Sequence, residues 1–582
     1  MSSNRNYDLI KSKFNELFLP TLFTSMANNT CLFIDSLVVS FLIGAVSLSA
    51  IQLVSPVINL VNLLYWMIGL GGSVLTAVAK AEYDEDKSNH LFSISLISLV
   101  ILGLLIMILG LVFSDNIVGI LCSTSELTPL VKSFFTTMLI GMPFLCYMMS
   151  LSYFMRVDGM AKIPLVAILI SNIANVILDF IYISVFHMGI QGAALATVTG
   201  YILGSLFITI YFFKKERTLK LIAKTRIKFS EMLSYFKEIC VSGFPSASTQ
   251  LFITLKLFCI NIFISWILGK SGLIAFSVCN NISFIIYMFL IGTSQTMSPI
   301  VSVYNQEEDY PAVDYITRRS LKIVLLSSII ITAVFILFPQ IALTLFSISN
   351  PVDVATVSTA LRLYSLSFIG LAVTFLVMFY AQAIKENSFA LKVSCLEGFI
   401  LPVVLSFVLM QFIGSNGIWI AFILSEVIAI LYILFYSKLV EKQSNGKISG
   451  IFMIKKQDSS NILDYTVKAD VKEIVNLSEK VINSLIEKNI DDLTSTRVSL
   501  AIEEILINIV TLNNNISSID VLVKIQDNHI LISIKDEGIM FNPTVRRDNL
   551  DFDNISVLNK ISDEVSYSRV LGLNSTVITI NK

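Results

Sequence analysis

Polar and acidic side chains recur at helical spacing inside apolar stretches of the first half of this chain. Asn172, Asn175 and Asp179 stand at i, i+3 and i+7, which places them on one helix face, and Asn28 and Asp35 are also seven residues apart. Ionisable groups are costly to bury in such stretches, so each is a candidate for function. Carboxylate and amide oxygens suit a proton or a hard cation such as Na⁺. The pattern therefore predicts a cation site formed by neighbouring helices.

A third stretch carries neutral polar residues on one helix face, namely Gln52, Ser55, Asn59 and Asn62. This stripe either contributes to the same interior site or only hydrogen-bonds neighbouring helices to one another, which is a common use of Asn and Ser in membranes. The sequence is compatible with both roles.

The second half has a different set of ionisable residues, Lys256, Glu397 and Glu426, also in apolar surroundings. Lys256 and Glu397 would neutralise one another across a helix bundle, because a buried pair costs less than either charge alone. A contact with a transported substrate fits the same two residues equally well. Both roles remain open for Lys256 and Glu397.

The composition defines the environment of these residues. Of the 582 residues, 55% are hydrophobic and only 14% are charged, and the mean hydropathy is +0.78, which indicates an integral membrane protein. The formal net charge of −1 provides no basic excess for binding nucleic acid. The seven cysteines contain no CxxC pair, so neither a disulfide framework nor a zinc site is predicted.

About twelve stretches are long enough to span a bilayer, which requires about 20 apolar residues. Their approximate bounds are 17–43, 49–79, 90–113, 130–155, 161–186, 189–213, 241–268, 272–303, 320–345, 357–384, 389–412 and 415–437. Basic residues are concentrated before the first stretch and between 214 and 237, and the positive-inside rule makes these segments cytoplasmic. The sequence therefore predicts a multi-pass protein of the plasma membrane with both termini in the cytoplasm.

The two halves of the apolar region repeat one another at a constant offset of 225 residues. Pro20, Gly44 and Ala50 align with Pro245, Gly269 and Ala275, and Gly189, Gly192 and Ala196 align with Gly414, Gly417 and Ala421. Each half has an even number of spans, so the halves run the same way and are related by an axis along the membrane normal. This predicts an all-α polytopic protein of two six-helix bundles that works by alternating access.

Two motifs in this region resemble those of the MATE (multidrug and toxic compound extrusion) family. They are Asn175-Val-Ile-Leu-Asp179 followed by Met188-Gly-Ile-Gln-Gly-Ala-Ala-Leu-Ala-Thr197, and Gln295-Thr-Met-Ser-Pro299-Ile-Val. The resemblance implies a first lobe at 14–213, a cytoplasmic inter-lobe loop at 214–240 and a second lobe at 241–437. It also implies export of drugs or other amphipathic small molecules, driven by Na⁺ or H⁺ entering the cell.

The resemblance also implies which residues hold the coupling cation. The first-lobe site of the family maps onto Asp35, Asn175, Asp179 and Thr197, in agreement with the polar stripes. Some branches of the family carry an acid in the seventh span, where the nearest ionisable residue of this chain is Lys256. This difference argues against a comparable ion site in the second lobe.

A polar linker at 438–450 leads to a C-terminal region at 451–582 that holds 14 Lys/Arg and 19 Asp/Glu. We refer to residues 451–582 as the tail. Helical spacing and strand-like alternation predict two helices and three strands, at Val471–Glu487, Thr496–Val510, Val521–Ile525, Ile530–Ile534 and Ser575–Ile580. The tail is therefore predicted to be a small cytosolic α+β domain.

The tail resembles ATPase domains of the GHKL type, most closely the anti-sigma-factor kinases. Glu504-Ile-Leu-Ile-Asn508 is similar to the N-box, in which the Asn holds Mg²⁺ and the Glu polarises water or an acceptor hydroxyl. Asp536-Glu-Gly538 is similar to the first glycine box, whose Asp binds the adenine amino group. The resemblance thus implies a nucleotide site that contains Glu504, Asn508, Asp536 and Gly538.

The second glycine-rich box of that fold is missing, because Phe552 and Asn554 stand in its place. Side chains there would crowd the triphosphate of Mg-ATP, where a glycine backbone normally approaches the phosphates. An ATPase or serine kinase with Glu504 as its catalytic acid, and a degenerate module that only binds a cytosolic protein, both remain open.

The leading hypothesis is a Na⁺- or H⁺-coupled antiporter that exports a small molecule across the lipid bilayer and carries a regulatory ATPase-like tail. One alternative is a membrane sensor that signals through the anti-sigma-like tail. A further alternative is a flippase for a lipid-linked precursor.

Overall fold

The fold is described from a computed structural model. The described residues are 5–43, 45–81, 84–121, 128–160, 162–215, 217–222, 229–346, 348, 350–456, 461–513, 518–544, 554–570 and 572–582. Fifteen α-helices precede the tail: α1 Asp8–Ile43, α2 Ala45–Tyr65, α3 Gly71–Ala81, α4 Glu85–Val112, α5 Ser114–Leu121, α6 Thr128–Val157, α7 Lys162–Asp179, α8 Gly189–Ile208, α9 Phe229–Gln306, α10 Tyr310–Leu337, α11 Gln340–Leu345, α12 Pro351–Ala383, α13 Asn387–Cys395, α14 Leu401–Ile413 and α15 Ser415–Gln443.

Ten helices among these described ranges are long and apolar enough to cross a membrane. The prediction of a mostly helical, multi-pass membrane protein is thereby confirmed. The other two predicted spans coincide with α1 and with the first part of α9, where Gln250–Ile264 is a shorter apolar helix. Helix α9 consists of two helices that join at Gly269, where the backbone leaves the helical conformation.

Matched glycines support the repeat. Gly189 and Gly414 are aligned at the 225-residue offset. Gly189 begins α8 and Gly414 immediately precedes α15, and their φ angles are both positive, at 57° and 69° respectively. Gly269, the partner of Gly44, also has a φ of 57°. Left-handed backbone strongly favours glycine, because a Cβ atom would be strained there. A glycine in the left-handed conformation therefore stands at the start of the last span of each half.

Within the described ranges, three short π-helical segments interrupt the spans, at Trp66–Leu70, Phe180–Val185 and Leu396–Ile400. Such insertions are rare and often occur at functional sites. The second begins directly after Asp179, and the third contains Glu397. Both predicted polar sites thus adjoin a distortion of their helix.

The chain forms two compact units. One comprises Pro20–Gln295 and Leu321–Tyr436, and holds most of the transmembrane helices. The other comprises Met1–Leu19, Thr296–Ser320 and Ser437–Lys582, and we call it the cytosolic unit after the predicted location of its segments. The tail therefore folds together with the N-terminal segment and with the turn between α9 and α10.

The tail contains one antiparallel sheet with helices on one face. Its elements, after the hairpin β1 Ile448–Ser449 and β2 Ile454–Lys455, are β3 Ile462–Lys468, α16 Val471–Glu487, α17 Asp492–Leu512, β4 Ser518–Ile525, β5 His529–Asp536, α18 Asn554–Ile561, β6 Glu564–Val570 and β7 Leu573–Asn581. The strand order is β3-β4-β5-β7-β6. The predicted α+β domain is confirmed, whereas β3 and β6 were missing from the sequence-based prediction.

Alternation along the strands builds the tail's core. Ile519, Val521 and Val523 of β4 pack with α16 and α17, and the intervening residues point to the opposite sheet face. Asp470 and Asp491 cap the two helices, because their carboxylates accept hydrogen bonds from Lys472 N and Thr494 N, respectively. We call the sheet face opposite these helices the outer face.

Candidate cation-coupling site

The first-lobe candidate site lies between α7 and α8. Asn175 Nδ2 donates to Thr197 Oγ1 at 3.1 Å, and Thr197 Oγ1 donates to Ala193 O at 3.1 Å. Asp179, one turn beyond Asn175, is fully buried. The structure therefore brings Asn175 and Thr197 into contact and places Asp179 in the interior, as the stripe on α7 predicts.

Glycines explain how α7 and α8 come so close. A Cβ atom added at Gly200 would lie 2.6 Å from Ser171 O, and one at Gly204 would lie 3.1 Å from Ala167 O. Small residues four apart let membrane helices pack backbone to backbone. Asn175 and Thr197 have short side chains, which can form a hydrogen bond only because α7 and α8 pack this closely.

Helix α1 approaches the same place. Val39 packs against Ile183 and Ala193 in one buried cluster. Val39 follows Asp35 by one helical turn, Ile183 follows Asp179 by about one turn, and Ala193 precedes Thr197 by one turn. The turn of α1 that carries Asp35 therefore lies near the turns that carry Asp179 and Thr197. The side chain of Asp35 itself lies outside the described residues, as does that of Asn28.

The stripe on α2 makes local contacts. Asn62 Nδ2 donates to Asn59 Oδ1 at 3.3 Å, and the Ser55 hydroxyl donates to Ile51 O of its own helix. The side chain of Gln52 lies outside the described residues. Within the described part of α2, these contacts favour a role in helix structure over a role in binding a cation.

The second-lobe residues also come together. Lys256 Nζ of α9 is 3.9 Å from Glu397 Oε1, and each side chain is 13% exposed. The Glu397 carboxyl group shares a hydrogen bond with that of Glu426 on α15, and Thr374 Oγ1 of α12 donates to Glu426 Oε2 at 2.9 Å. A Cβ atom at Gly370 would lie 2.4 Å from Glu426 Cβ, so α12 and α15 are tightly packed here.

This arrangement extends the predicted pair to a group of three charged residues. The apolar surroundings of Glu426 mark it in the sequence as a buried acid, but no sequence signal links it to Glu397. Thr374 has no distinguishing signal, because threonines are common in membrane helices. We call Lys256, Glu397, Glu426 and Thr374 the second-lobe cluster.

In the tail, the predicted nucleotide residues lie around the end of α17 and the loop after β5. Asp536 is buried, and its Oδ1 accepts hydrogen bonds from Gly538 N at 2.8 Å and from Asn574 Nδ2 at 2.9 Å. Burial raises the pKa of Asp536, although these hydrogen bonds oppose the shift. Asn513, which follows α17, accepts a hydrogen bond from Ile539 N at 2.6 Å and so joins the helix end to this loop.

The two residues of the predicted N-box, Glu504 and Asn508, both lie on α17. Asn508 Nδ2 donates to Glu504 O at 2.8 Å within α17. Glu504 Oε2 is buried and has no hydrogen-bond partner in the part of the chain that the structure describes. Burial together with nearby Glu503 raises the pKa of Glu504. Phe552 lies outside the described residues, and Asn554 begins α18.

Comparison with known proteins gives consistent matches to the membrane part. A family model described as MatE matches residues 20–181 and 245–408, two segments whose first residues are 225 apart and which together cover more than half of the chain. The multidrug export protein MepA of Staphylococcus haemolyticus is 26% identical over 400 residues, which cover 68% of this chain and 86% of that protein. MepA of Staphylococcus aureus strain MRSA252 is 24% identical over 393 residues, with the same two coverages.

Solved structures show the same fold. The inward-facing conformation of a multidrug resistance MATE family transporter aligns with a TM-score of 0.64 at 21% identity, and covers 72% of this chain and 95% of the other. A MOP superfamily transporter from Pyrococcus furiosus aligns with a TM-score of 0.65 at 21% identity, and covers 75% and 98%. The tail lies beyond both segments matched by the family model.

Proposed function

Because the chain belongs to the MatE family of multi-pass membrane transporters, we propose that it exports drugs or other amphipathic small molecules in exchange for Na⁺ or H⁺. The observation that carries the proposal is the buried Asp179 beside the Asn175–Thr197 contact, on helices that the family model covers in part. The similarity to proteins named multidrug export protein supports the choice of substrate class.

The proposed site works through the charge of Asp179. An ionised carboxylate in an apolar interior is unfavourable unless a cation neutralises it. A proton needs only the carboxylate, whereas Na⁺ would also use the neighbouring amide and hydroxyl oxygens of Asn175 and Thr197. Cation binding would favour one orientation of the two lobes and substrate binding the other, because a ligand shifts a conformational equilibrium by its difference in affinity for the two states.

The test is ethidium transport by the full chain in proteoliposomes, with a Na⁺ gradient or a pH gradient imposed separately. Asp179→Asn and Asp35→Asn should each abolish gradient-driven transport while leaving insertion and folding intact. Asp115→Asn is the matched control, because Asp115 is an exposed carboxylate paired with Lys132 at the surface. Gradient-driven transport that survives in both Asp179→Asn and Asp35→Asn would refute the coupling site.

For the tail, we propose a regulatory role with weak or absent binding of Mg-ATP. Asp536 and Asn508 would provide adenine recognition and a Mg²⁺ ligand, but the glycines that should approach the phosphates are replaced. Titration calorimetry of the full chain in nanodiscs with Mg-ATP tests this proposal, because the tail folds together with the N-terminal segment and the α9–α10 turn. A micromolar dissociation constant, worth about 8 kcal/mol, would instead favour an active ATPase or kinase with Glu504 as its acid.

One observation favours the sensor alternative: the tail folds with the N-terminal segment and with the turn that joins two spans. A sensor would bind its ligand without moving it. Ethidium counterflow separates the two functions, since only a transporter exchanges external for internal substrate.

A further inference from the structure

The outer face of the tail sheet is lined with polar residues that are buried. Thr466, Asp520, Lys535 and Ser575 lie directly opposite one another on β3, β4, β5 and β7, and so form one row across four strands. Asp520, Lys535 and Ser575 are each no more than 6% exposed. A sheet face open to water would leave such side chains exposed, so this face is covered by other parts of the chain.

The N-terminal segment covers one end of the row. Arg5 Nη2 and Nε donate to Asp520 Oδ2 at 2.8 and 3.1 Å, and Nη1 donates to Asp309 Oδ2 at 2.7 Å. Asn6 N donates to Thr466 Oγ1 at 3.2 Å. The guanidinium group thus joins the N-terminal segment, the turn between α9 and α10, and the tail sheet in one place.

The turn between α9 and α10 covers the other end. Glu307 forms an ion pair with Lys535 and accepts a hydrogen bond from Ser575 Oγ at 3.2 Å. Lys524 Nζ donates to Glu307 O at 2.6 Å, and the Lys535 ammonium lies 3.6 Å from the ring centre of Tyr304. These contacts hold the last turn of a membrane-spanning helix against the tail.

The charges at the first end do not balance. Asp464 Oδ1 is 3.6 Å from Arg5 Nη1, which is ion-pair distance but too long for a hydrogen bond. The Asp464 Oδ1 atom is buried and has no hydrogen-bond partner among the described residues. One guanidinium therefore faces three carboxylates, all with side chains at most 7% exposed. We call Arg5, Asp309, Asp464 and Asp520 the Arg5 cluster.

The other charged groups that the structure describes around this face do not correct the imbalance. Lys524 and Lys535 face Glu307 and Glu308, so these four charges cancel. Tyr304 lies next to the cluster as a further titratable group. A surplus of buried negative charge is relieved when a carboxyl group takes up a proton. Burial, reinforced by Asp309 and Asp520 and opposed by Arg5, raises the pKa of Asp464 to about 7.

We propose that the outer face of the tail sheet is a proton-linked docking surface for the N-terminal segment and the α9–α10 turn, which acidification closes and alkalinisation loosens. In the docked form Asp464 holds a proton up to about pH 7, whereas an exposed aspartate loses it near pH 3.9. Docking therefore takes up a proton between these values. One proton linked in this way strengthens docking about tenfold from pH 8 to pH 6.

The experiment measures how often the outer face opens in the full chain in nanodiscs. Leu522→Cys places a thiol on the outer face, because Leu522 is 6% exposed and pairs with Asp464 in the strand register. Val523→Cys is the matched control on the helix-covered face, which only unfolding of the tail exposes. Labelling rates by a maleimide, resolved by mass spectrometry and divided by the rate of a model thiol at the same pH, give a protection factor for each site.

The protection factor at Leu522→Cys should be about ten times higher at pH 6 than at pH 8, and that at Val523→Cys should change little. Adding Asp464→Asn should remove the pH dependence at Leu522→Cys, while Asp527→Asn, in the exposed turn between β4 and β5, should leave it unchanged. If Leu522→Cys does not fold, Ser533→Cys replaces it as the labelling site, because Ser533 pairs with Leu522 and also lies on the outer face.

Three results would overturn the proposal. They are equal protection at both pH values, a pH dependence that persists with Asp464→Asn, and equal protection at positions 522 and 523, which would mean that the face opens only when the tail unfolds. The labelling requires no transport. A failure here is therefore distinguishable from a failure of the proposed export function.

Discussion

The Arg5 cluster and the second-lobe cluster each set one basic side chain against more carboxylates than it can neutralise. Arg5 makes three hydrogen bonds of 2.7 to 3.1 Å to two of its acids, whereas Lys256 Nζ stays 3.9 Å from Glu397. A guanidinium offers five donors in a fixed plane, and an ammonium offers a mobile point charge.

The difference in hydrogen bonding distinguishes a rigid connection between chain segments, the Arg5 cluster, from a weaker ion pair, Lys256–Glu397. The Arg5 cluster connects three chain segments that are far apart in sequence, and its geometry leaves little freedom. In the second-lobe cluster, Glu426 is held by Thr374 and by Glu397, and Lys256 approaches only one of the acids closely. Removing the base should therefore have different consequences at the two places, and each consequence is measurable.

The largest effect is expected for Arg5→Met. This change leaves Asp309, Asp464 and Asp520 buried without their counter-charge, which costs about 3 to 5 kcal/mol. Thermal unfolding of the full chain at pH 8, with proteolysis of the tail as the readout, measures the loss of stability. Arg5→Lys should recover only part of it, because an ammonium does not reproduce the planar set of donors. An unchanged tail transition in Arg5→Met would show that the cluster does not hold the cytosolic unit together.

At the second lobe, Lys256→Ala alone should destabilise the protein by about 2 to 4 kcal/mol, and adding Glu397→Gln should reverse part of the loss. The reason is that the single change leaves buried acids without a base, and the double change removes one of them. Fluorescence-detected thermal melting of purified variants gives the comparison. Strictly additive losses would rule out the Lys256–Glu397 pair and leave a substrate contact as the explanation for each residue.

Asp464→Asn should stabilise the cytosolic unit by about 2 to 3 kcal/mol more at pH 8 than at pH 5. Above pH 7 the buried Asp464 is ionised at a cost that Asn does not incur, and at pH 5 it is already protonated because its pKa is about 7. Melting curves of the two proteins at both pH values test the sign. A variant that is less stable than the parent at pH 8 would contradict the charge imbalance.

The smallest effect is expected for Glu16→Gln. Glu16 pairs with Lys13 at 2.7 Å, but its side chain is 61% exposed, and exposed ion pairs contribute about 0 to 1 kcal/mol. The same melting assay should therefore show no measurable shift. A loss comparable to that of Arg5→Met would mean that burial is not what distinguishes the two pairs.

Sequence periodicity was sufficient where neighbouring residues decide the structure. The stripe on α7 placed Asp179 in the interior, and the 225-residue offset aligned Gly189 with Gly414, which the structure shows to share a left-handed backbone. The tail helices α16 and α17 followed from their apolar spacing. Strand β6 was missed because Glu564–Val570 lacks a clear alternation, and β3 because Ile462–Lys468 mixes apolar and charged residues on its buried outer face.

Contacts between distant segments could not be predicted in this way. Arg5 was interpreted only as one of the basic residues that set the orientation of the first span. Its partners Asp309 and Asp520 lie 304 and 515 residues away, and no local pattern relates them. The link between Glu397 and Glu426 had the same limitation, since it depends on how α15 packs against the π-helical segment.

The 515 residues between Arg5 and Asp520 also have a consequence for biosynthesis. At about 5 to 20 residues per second, a ribosome adds Asp520 roughly 25 to 100 s after it has added Arg5. During that interval the membrane helices emerge and insert, while Arg5 has no access to its carboxylate on β4. Closure of this connection is therefore a late event in the production of each molecule. A chain that stops short of β4 would leave Arg5 and Asp309 without this partner and exposed to cellular quality control.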